Sequence, residues 1–240
     1  MLSIFNWFGY RELTHAEGFR LIRQAGFEGV LLWWAFAEGG ENYRKQPELA
    51  RQAGLWVENI HANFEQANHL WEDTQAGQAV YEYYLQCVED CAAFRVPSVV
   101  MHPGAGGSMP PVSEIGLQRF ERLLDRAGQR GVNIALENMR RPACIERGAL
   151  LLERFDSPRL GFCYDNGHHH ARHTKEADTL AQFGHRLMSL HLSDNAGKDD
   201  LHQLPFDGTI GWPAQMRKIA ETGYQGPTAL EVTNYGYEET

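Results

Sequence analysis

Short apolar runs alternate with longer amphipathic stretches along the whole chain. Eight runs read as strands: SIFNWF at 3–8, GVLLWW at 29–34, LWVENIHA at 55–62, SVVMH at 98–102, VNIALEN at 132–138, LGFCYD at 160–165, LMSLHL at 187–192 and TALEV at 228–232. Few of their positions alternate apolar with polar, the pattern of parallel strands covered on both faces. Between them the spacing turns helical. Thr14 opens a helix over 14–24, Glu17 completes a capping box, and Gly26 lies just beyond. Residues 75–94 and 113–129 predict two longer helices, the second stopped by Gly131. A last helix over 213–222 begins on Pro213 and ends before Gly223.

Eight strand-then-helix units without a linker predict an α/β fold, a closed (β/α)8 TIM barrel with a single domain over residues 1–240. The competitor is an open doubly wound sheet. No glycine-rich turn follows the first strand, so dinucleotide binding has no support. The segment PGAGGSMPP at 103–111 is a loop after the fourth strand, over the expected active face. It reads either as a lid or as a plain connection.

The ends of the strands carry the chemistry. The third finishes at His61, the fourth at His102, the fifth at Glu137, the sixth at Asp165, the seventh at His191 and the eighth at Glu231. A barrel brings all of its carboxyl ends to one face, so these side chains converge. Gathering buried acids and imidazoles costs too much free energy unless a cation or mutual pairing offsets it. His168 follows Asp165 by three residues, and Asp200-Leu201-His202 lies in the loop after the seventh strand. These additions bring the candidate ligands to nine.

Composition narrows the ligand. The chain has 31 acidic against 22 basic residues, a net charge of −9, which argues against an extended nucleic-acid surface. No apolar run approaches the roughly 20 residues of a membrane span. The N-terminus has no secretory signal pattern, so a cytoplasmic protein is expected. Cys87, Cys91, Cys144 and Cys163 are scattered, and Cys87 and Cys91 read as core thiols. Aromatic residues that end the first two strands suit a compact sugar-like ligand, with Trp7 and Trp34 as the candidates for substrate contact. Strand alternation lets only one of Trp33 and Trp34 face the mouth. Arg140-Arg141 after the fifth strand either binds a substrate phosphate or carboxylate or is simply solvated.

The patterns HPG at 102–104, LEN at 136–138, YDNGH at 164–168, HLSDNAGKDDLHQLPFDGTIGW at 191–212 and LEV at 230–232 resemble the xylose-isomerase-like barrel superfamily. That superfamily contains sugar and sugar-phosphate isomerases and epimerases, together with the endonuclease IV family of apurinic-site nucleases. The likeness runs from about residue 27 to 232 and is most specific from His191 to Trp212. The epimerase branch implies one divalent cation (manganese, magnesium, cobalt or zinc) on Glu137, Asp165, His191 and Glu231. It implies proton abstraction beside a carbonyl, with Glu137 and Glu231 as the catalytic pair, a metal-stabilised enediolate and a small carbohydrate substrate. His168 matches a substrate-binding position. An Arg that often follows the seventh-strand His is absent at its usual spacing, and Lys198 is the nearest cation. The endonuclease branch implies three zinc ions, with counterparts at His61, His102, Glu137, Asp165, His168, His191, Asp200, His202 and Glu231. Family likeness also implies a homo-oligomer. A barrel that binds a ligand without catalysis is the third reading.

Overall fold

All eight apolar runs form strands: β1 (Leu2–Phe5), β2 (Gly29–Trp34), β3 (Trp56–Ala62), β4 (Ser98–Met101), β5 (Asn133–Glu137), β6 (Leu160–Asp165), β7 (Leu187–His191) and β8 (Thr228–Leu230). The computed structural model describes residues 1–6, 13–35, 42–106, 108–172, 178–234 and 236–237. Every strand pair is parallel, in the order β7-β6-β5-β4-β3-β2-β1-β8. The ends of that row meet just beyond the last two strands. Leu192 N–H donates to Ala229 O and Glu231 N–H donates to Leu192 O, both at 2.9 Å. The sheet is therefore a nearly closed barrel.

Helices alternate with the strands: α1 (His15–Gln24), α2 (Gln46–Gln52), α3 (Gln75–Ala93), α4 (Glu114–Arg130), α5 (Pro142–Arg154), α6 (Asn166–His170), α7 (Thr179–Phe183) and α8 (Trp212–Glu221). The capping box of Thr14 and Glu17 starts α1 as its spacing predicts. Gly131 ends α4 at φ 70°, a left-handed position that a side chain would strain. Four helices, α2, α5, α6 and α7, were not legible as helices. α5 has no capping side chain at Arg141 and holds Gly148 in its middle, while α6 and α7 have only 5 residues each. Among the described residues, no helix is long and apolar enough to cross a membrane.

Side chains alternate across each strand, so every second residue enters the barrel. The outward set (Val30, Leu32, Ile60, Val99, Ile134, Phe162) packs under the helices in the main core, with the buried thiols of Cys87 and Cys91. The inward set fills the lumen in small clusters: Phe5, Leu31 and Ala229 on one side, Val100, Ala135 and Cys163 on the other. A bulge modifies this near the amino end of β3. Val30 pairs with Val57 but Leu31 pairs with Asn59, so Glu58 is the extra residue. Glu58 lies inside the barrel between the Ser3 and Ser189 hydroxyls, at 2.5 and 3.2 Å.

Candidate metal centre at the barrel mouth

The same alternation that packs the lumen delivers the ends of the strands to the mouth. Glu137, Asp165 and His191 close β5, β6 and β7, and Glu231 follows β8 by one residue. One donor atom from each of these four residues lies within 4.8 Å of the other three. All four residues are buried. His61 near the end of β3 and His102 just past β4 join them, each with Nε2 3.1 Å from Glu137 Oε2. His191 Nδ1 lies 3.3 Å from Glu137 Oε2 and 3.1 Å from Glu231 Oε2.

The second group of donors is contiguous with the first. His168 in α6 has Nδ1 3.1 Å from Glu137 Oε1 and Nε2 2.9 Å from Asp200 Oδ2. His202 Nε2 lies 3.3 Å from the same Asp200 oxygen. The nine acids and imidazoles named from the strand ends, His168 and the Asp200–His202 pair thus share one volume at the mouth.

Three imidazoles are oriented by backbone carbonyls. Nδ1 of His61, His168 and His202 lies 3.0, 2.9 and 2.9 Å from Ala62 O, Asn138 O and Glu231 O. A ring nitrogen bonded to a carbonyl carries the proton, which leaves Nε2 to present a lone pair. In each case that Nε2 faces a carboxylate oxygen, lone pair against lone pair, unless a proton or a cation lies between. The carboxylates have the matching deficit. Glu137 Oε1, Asp165 Oδ2, Asp200 Oδ1 and Glu231 Oε2 are buried without a hydrogen bond, as are both nitrogens of His191. These atoms approach one another closely but are not aligned as donor and acceptor. Buried polar groups left so are costly, and a shared cation satisfies them together. The donor set fits a divalent ion.

Electrostatics points the same way. Burial pushes Asp165 well above the ordinary carboxylate range, and the anions of Glu137, Asp200 and Glu231 add to it against the opposing pull of His168. Burial also raises Glu231, but His191 and His202 together outweigh it and hold the carboxyl at about 2. For His202 burial favours the neutral ring, yet Asp200 and Glu231 lift it to about 10. Acids and imidazoles at the mouth therefore shift one another strongly, the mark of opposite charges packed together away from water.

The walls contain residues that sequence reasoning passed over. Trp33 faces the mouth, its ring 5.4 Å from His61, and Phe64 stacks on His102 at 4.2 Å. Strand parity was the signal that could have chosen Trp33. The expectation for Trp34 is corrected: it is 1% exposed, packs against Tyr43 and Phe94 on the outer side, and donates its indole N–H to Asp90 at 3.0 Å. Trp7 lies outside the described residues. Arg140 is half-buried beyond β5, and Lys198 is exposed in the β7–α8 loop. Asn138 splints β5 to β6, donating to Asp165 O and accepting from Asp165 N–H, both at 2.8 Å. The described residues of the loop after β4 are coil, with Ala105 pinned by the Asn68 amide at 2.6 and 3.0 Å.

Fold and site together define a (β/α)8 barrel with a buried carboxylate–imidazole centre at the carboxyl ends of its strands. The family model for the xylose isomerase-like TIM barrel matches residues 19–240, and the chain belongs to that family. An uncharacterised protein of Sinorhizobium fredii is 27% identical over 270 residues, covering 96% of this chain and 86% of the relative. One from Methanocaldococcus jannaschii is 30% identical over 191 residues, covering 73% of this chain and 64% of the relative. Among solved structures, a D-tagatose 3-epimerase-like protein superposes with a TM-score of 0.75 at 20% identity, covering 97% of this chain and 90% of the other. The IolI protein with a bound zinc atom gives 0.75 at 18% identity, covering 100% and 92%. D-allulose 3-epimerase from Methylomonas sp. in complex with D-allulose gives 0.74 at 14% identity, covering 97% and 84%.

Proposed function

We propose that the protein is a divalent-metal-dependent isomerase or epimerase of a small sugar or a related hydroxy-carbonyl compound. The observation that carries this reading is the buried quartet of Glu137, Asp165, His191 and Glu231, whose donor atoms lie within 4.8 Å of one another. The D-allulose 3-epimerase and the D-tagatose 3-epimerase-like protein among the structural neighbours support it. Those four residues would hold the ion. A bound divalent cation of this kind polarises a substrate carbonyl and stabilises negative charge on its oxygen.

Glu137 and Glu231 reach the mouth from strands three places apart around the barrel, with His191 between them. One carboxylate takes the proton beside the carbonyl and the other returns one, which inverts or relocates the centre. Trp33 and Phe64 supply apolar faces that pack on sugar C–H surfaces and exclude water. His168 binds a substrate oxygen, and Arg140 and Lys198 are the cations at the rim for anionic or oxygen-rich groups.

The remaining donors support a second reading of the same centre, a hydrolase or lyase with two or three zinc ions. His61 and His102 on Glu137, and His168 with His202 on Asp200, are the observations in its favour. The net charge of −9 favours a small substrate over a duplex. One experiment separates the two. The protein is loaded with manganese, cobalt or zinc, its metal is counted, and it is offered a panel of ketoses, aldoses and their phosphates beside an abasic duplex. Interconversion of a sugar is the expected result. Nicking of the duplex with no sugar converted would overturn the isomerase.

A further inference from the structure

Asp194 is an acid three residues beyond the β7 ligand, and it takes no part in the centre described above. It is fully buried, and both oxygens are saturated by the chain around it. Oδ1 accepts from Asn195 N–H at 2.8 Å and Ile210 N–H at 3.1 Å, while Oδ2 accepts from Phe206 N–H at 3.0 Å and the Trp212 indole N–H at 2.7 Å. Its own backbone pairs both ways with Gln203, at 2.9 and 3.0 Å. The β7–α8 loop is thereby folded into two lobes that meet at this residue. Residues 195–202 form the lobe that carries Asp200 and His202 to the mouth. Residues 204–211 form an outer lobe wrapped around the carboxylate so closely that a Cβ on Gly208 would lie 2.2 Å from Oδ1.

The loop is held under strain. His202 has φ 46° and Phe206 φ 80°, left-handed values that non-glycine residues rarely adopt. Phe206 also leaves its ring 77% exposed. Neither conformation persists unless its surroundings over-determine it, and the Phe206 N–H is one of the four donors on Asp194. A hydroxyl or an amide could not replace the carboxylate, because four donors need an acceptor with no hydrogen of its own.

We propose that Asp194 is a positioning residue: by fixing both lobes of the β7–α8 loop it sets where Asp200 and His202 stand, and so completes the outer half of the substrate site without touching the quartet. This rests on the isomerase reading for its kinetic consequence, and on geometry alone for its effect on the loop.

The test is Asp194→Asn, which keeps the shape but turns two acceptor positions into donors. Cobalt alone, titrated by its visible absorption, reads the quartet; hydrogen exchange reads the amides of 195–211; kinetics on the sugar converted by the wild-type enzyme read the outer half. We expect cobalt affinity within about threefold of wild type, exchange faster by about tenfold or more across both lobes, and KM raised about tenfold with kcat changed far less. His202→Ala should raise KM similarly, and the double variant Asp194→Asn/His202→Ala should fall well short of the product of the two single effects, because with His202 gone only the placement of Asp200 is left to lose. Phe206→Gly, which removes the strain, should recover part of the loss in the Asp194→Asn background. Cobalt binding lost as fully as in Glu137→Gln, additive effects on KM, or unchanged exchange would each overturn the proposal. If the wild-type enzyme converts no sugar, the isomerase reading fails, while the cobalt and exchange arms still decide the role of Asp194.

Discussion

Two groups of buried acids stand at different heights in the same barrel and have opposite characters. Glu58, deep in the lumen, has a hydroxyl donor on each oxygen, from Ser3 and Ser189, and Ser189 in turn accepts from Asn59 at 3.1 Å. Glu137, Asp165, Asp200 and Glu231 at the mouth each leave at least one buried oxygen without a hydrogen bond. Both groups are largely withdrawn from water, so burial alone does not mark function. What separates them is whether the fold itself answers the polar atoms. A satisfied carboxyl belongs to the scaffold, whereas a convergent unsatisfied set is built for something the chain does not supply.

The sharpest way to break this contrast is to neutralise one acid in each group. Glu137→Gln and Glu231→Gln should each lower kcat by about 10²–10⁴-fold on the sugar the enzyme converts, measured at saturating substrate, whereas Glu58→Gln should leave kcat within about threefold. Equal losses at both levels would erase the distinction.

Glu58 should reveal itself through stability. Burial raises its carboxyl to about 7, against the opposing effects of Ser3, His191 and Ser189, from an ordinary value of 4.5. The folded state therefore holds the proton more tightly than the unfolded one. That stabilisation is fully present below 4.5 and is lost as pH rises through about 7, a change worth roughly 3 kcal/mol. A neutral Gln has no such dependence. Thermal melts should find wild type losing roughly 5 °C or more relative to Glu58→Gln between pH 5 and pH 8.

Metal should act on the mouth alone. At about a hundred times its Kd, a divalent ion should stabilise the chain by about 2.7 kcal/mol, or roughly 5–10 °C in Tm, and chelation should reverse it. Asp165→Asn should abolish the shift and Glu58→Gln should keep it. The smallest effects concern the tryptophan pair. Trp34→Phe should cost about 1 kcal/mol in denaturant melts through the lost bond to Asp90, with KM unchanged. Trp33→Leu should raise KM several-fold with little change in stability.

The strands and the converging acids were legible because both follow from short-range rules. Continuous apolar runs mark parallel strands, and a barrel sends every carboxyl end to one face, so His61 through Glu231 could be grouped without coordinates. Trp34 was misjudged because parity depends on where each strand starts, and His61 and Trp33, which face each other across β2 and β3, had to be counted together. The bulge at Glu58 was invisible, since one extra residue in β3 leaves no mark in composition. Asp194 stands in the most recognisable stretch of the chain, yet its role is written in two backbone N–H groups and the Trp212 indole, 12–18 residues away, which no local pattern displays.

The seam between β7 and β8 has a consequence for assembly. Its two hydrogen bonds run through Leu192, Ala229 and Glu231, of which Leu192 directly follows His191 and Glu231 is itself in the quartet. Zipping the cylinder shut and bringing Glu231 to His191 are one event. A nascent chain that still lacks its last strand owns three corners of the square and an open flank, so this barrel completes its candidate centre only with the final turn of its wall.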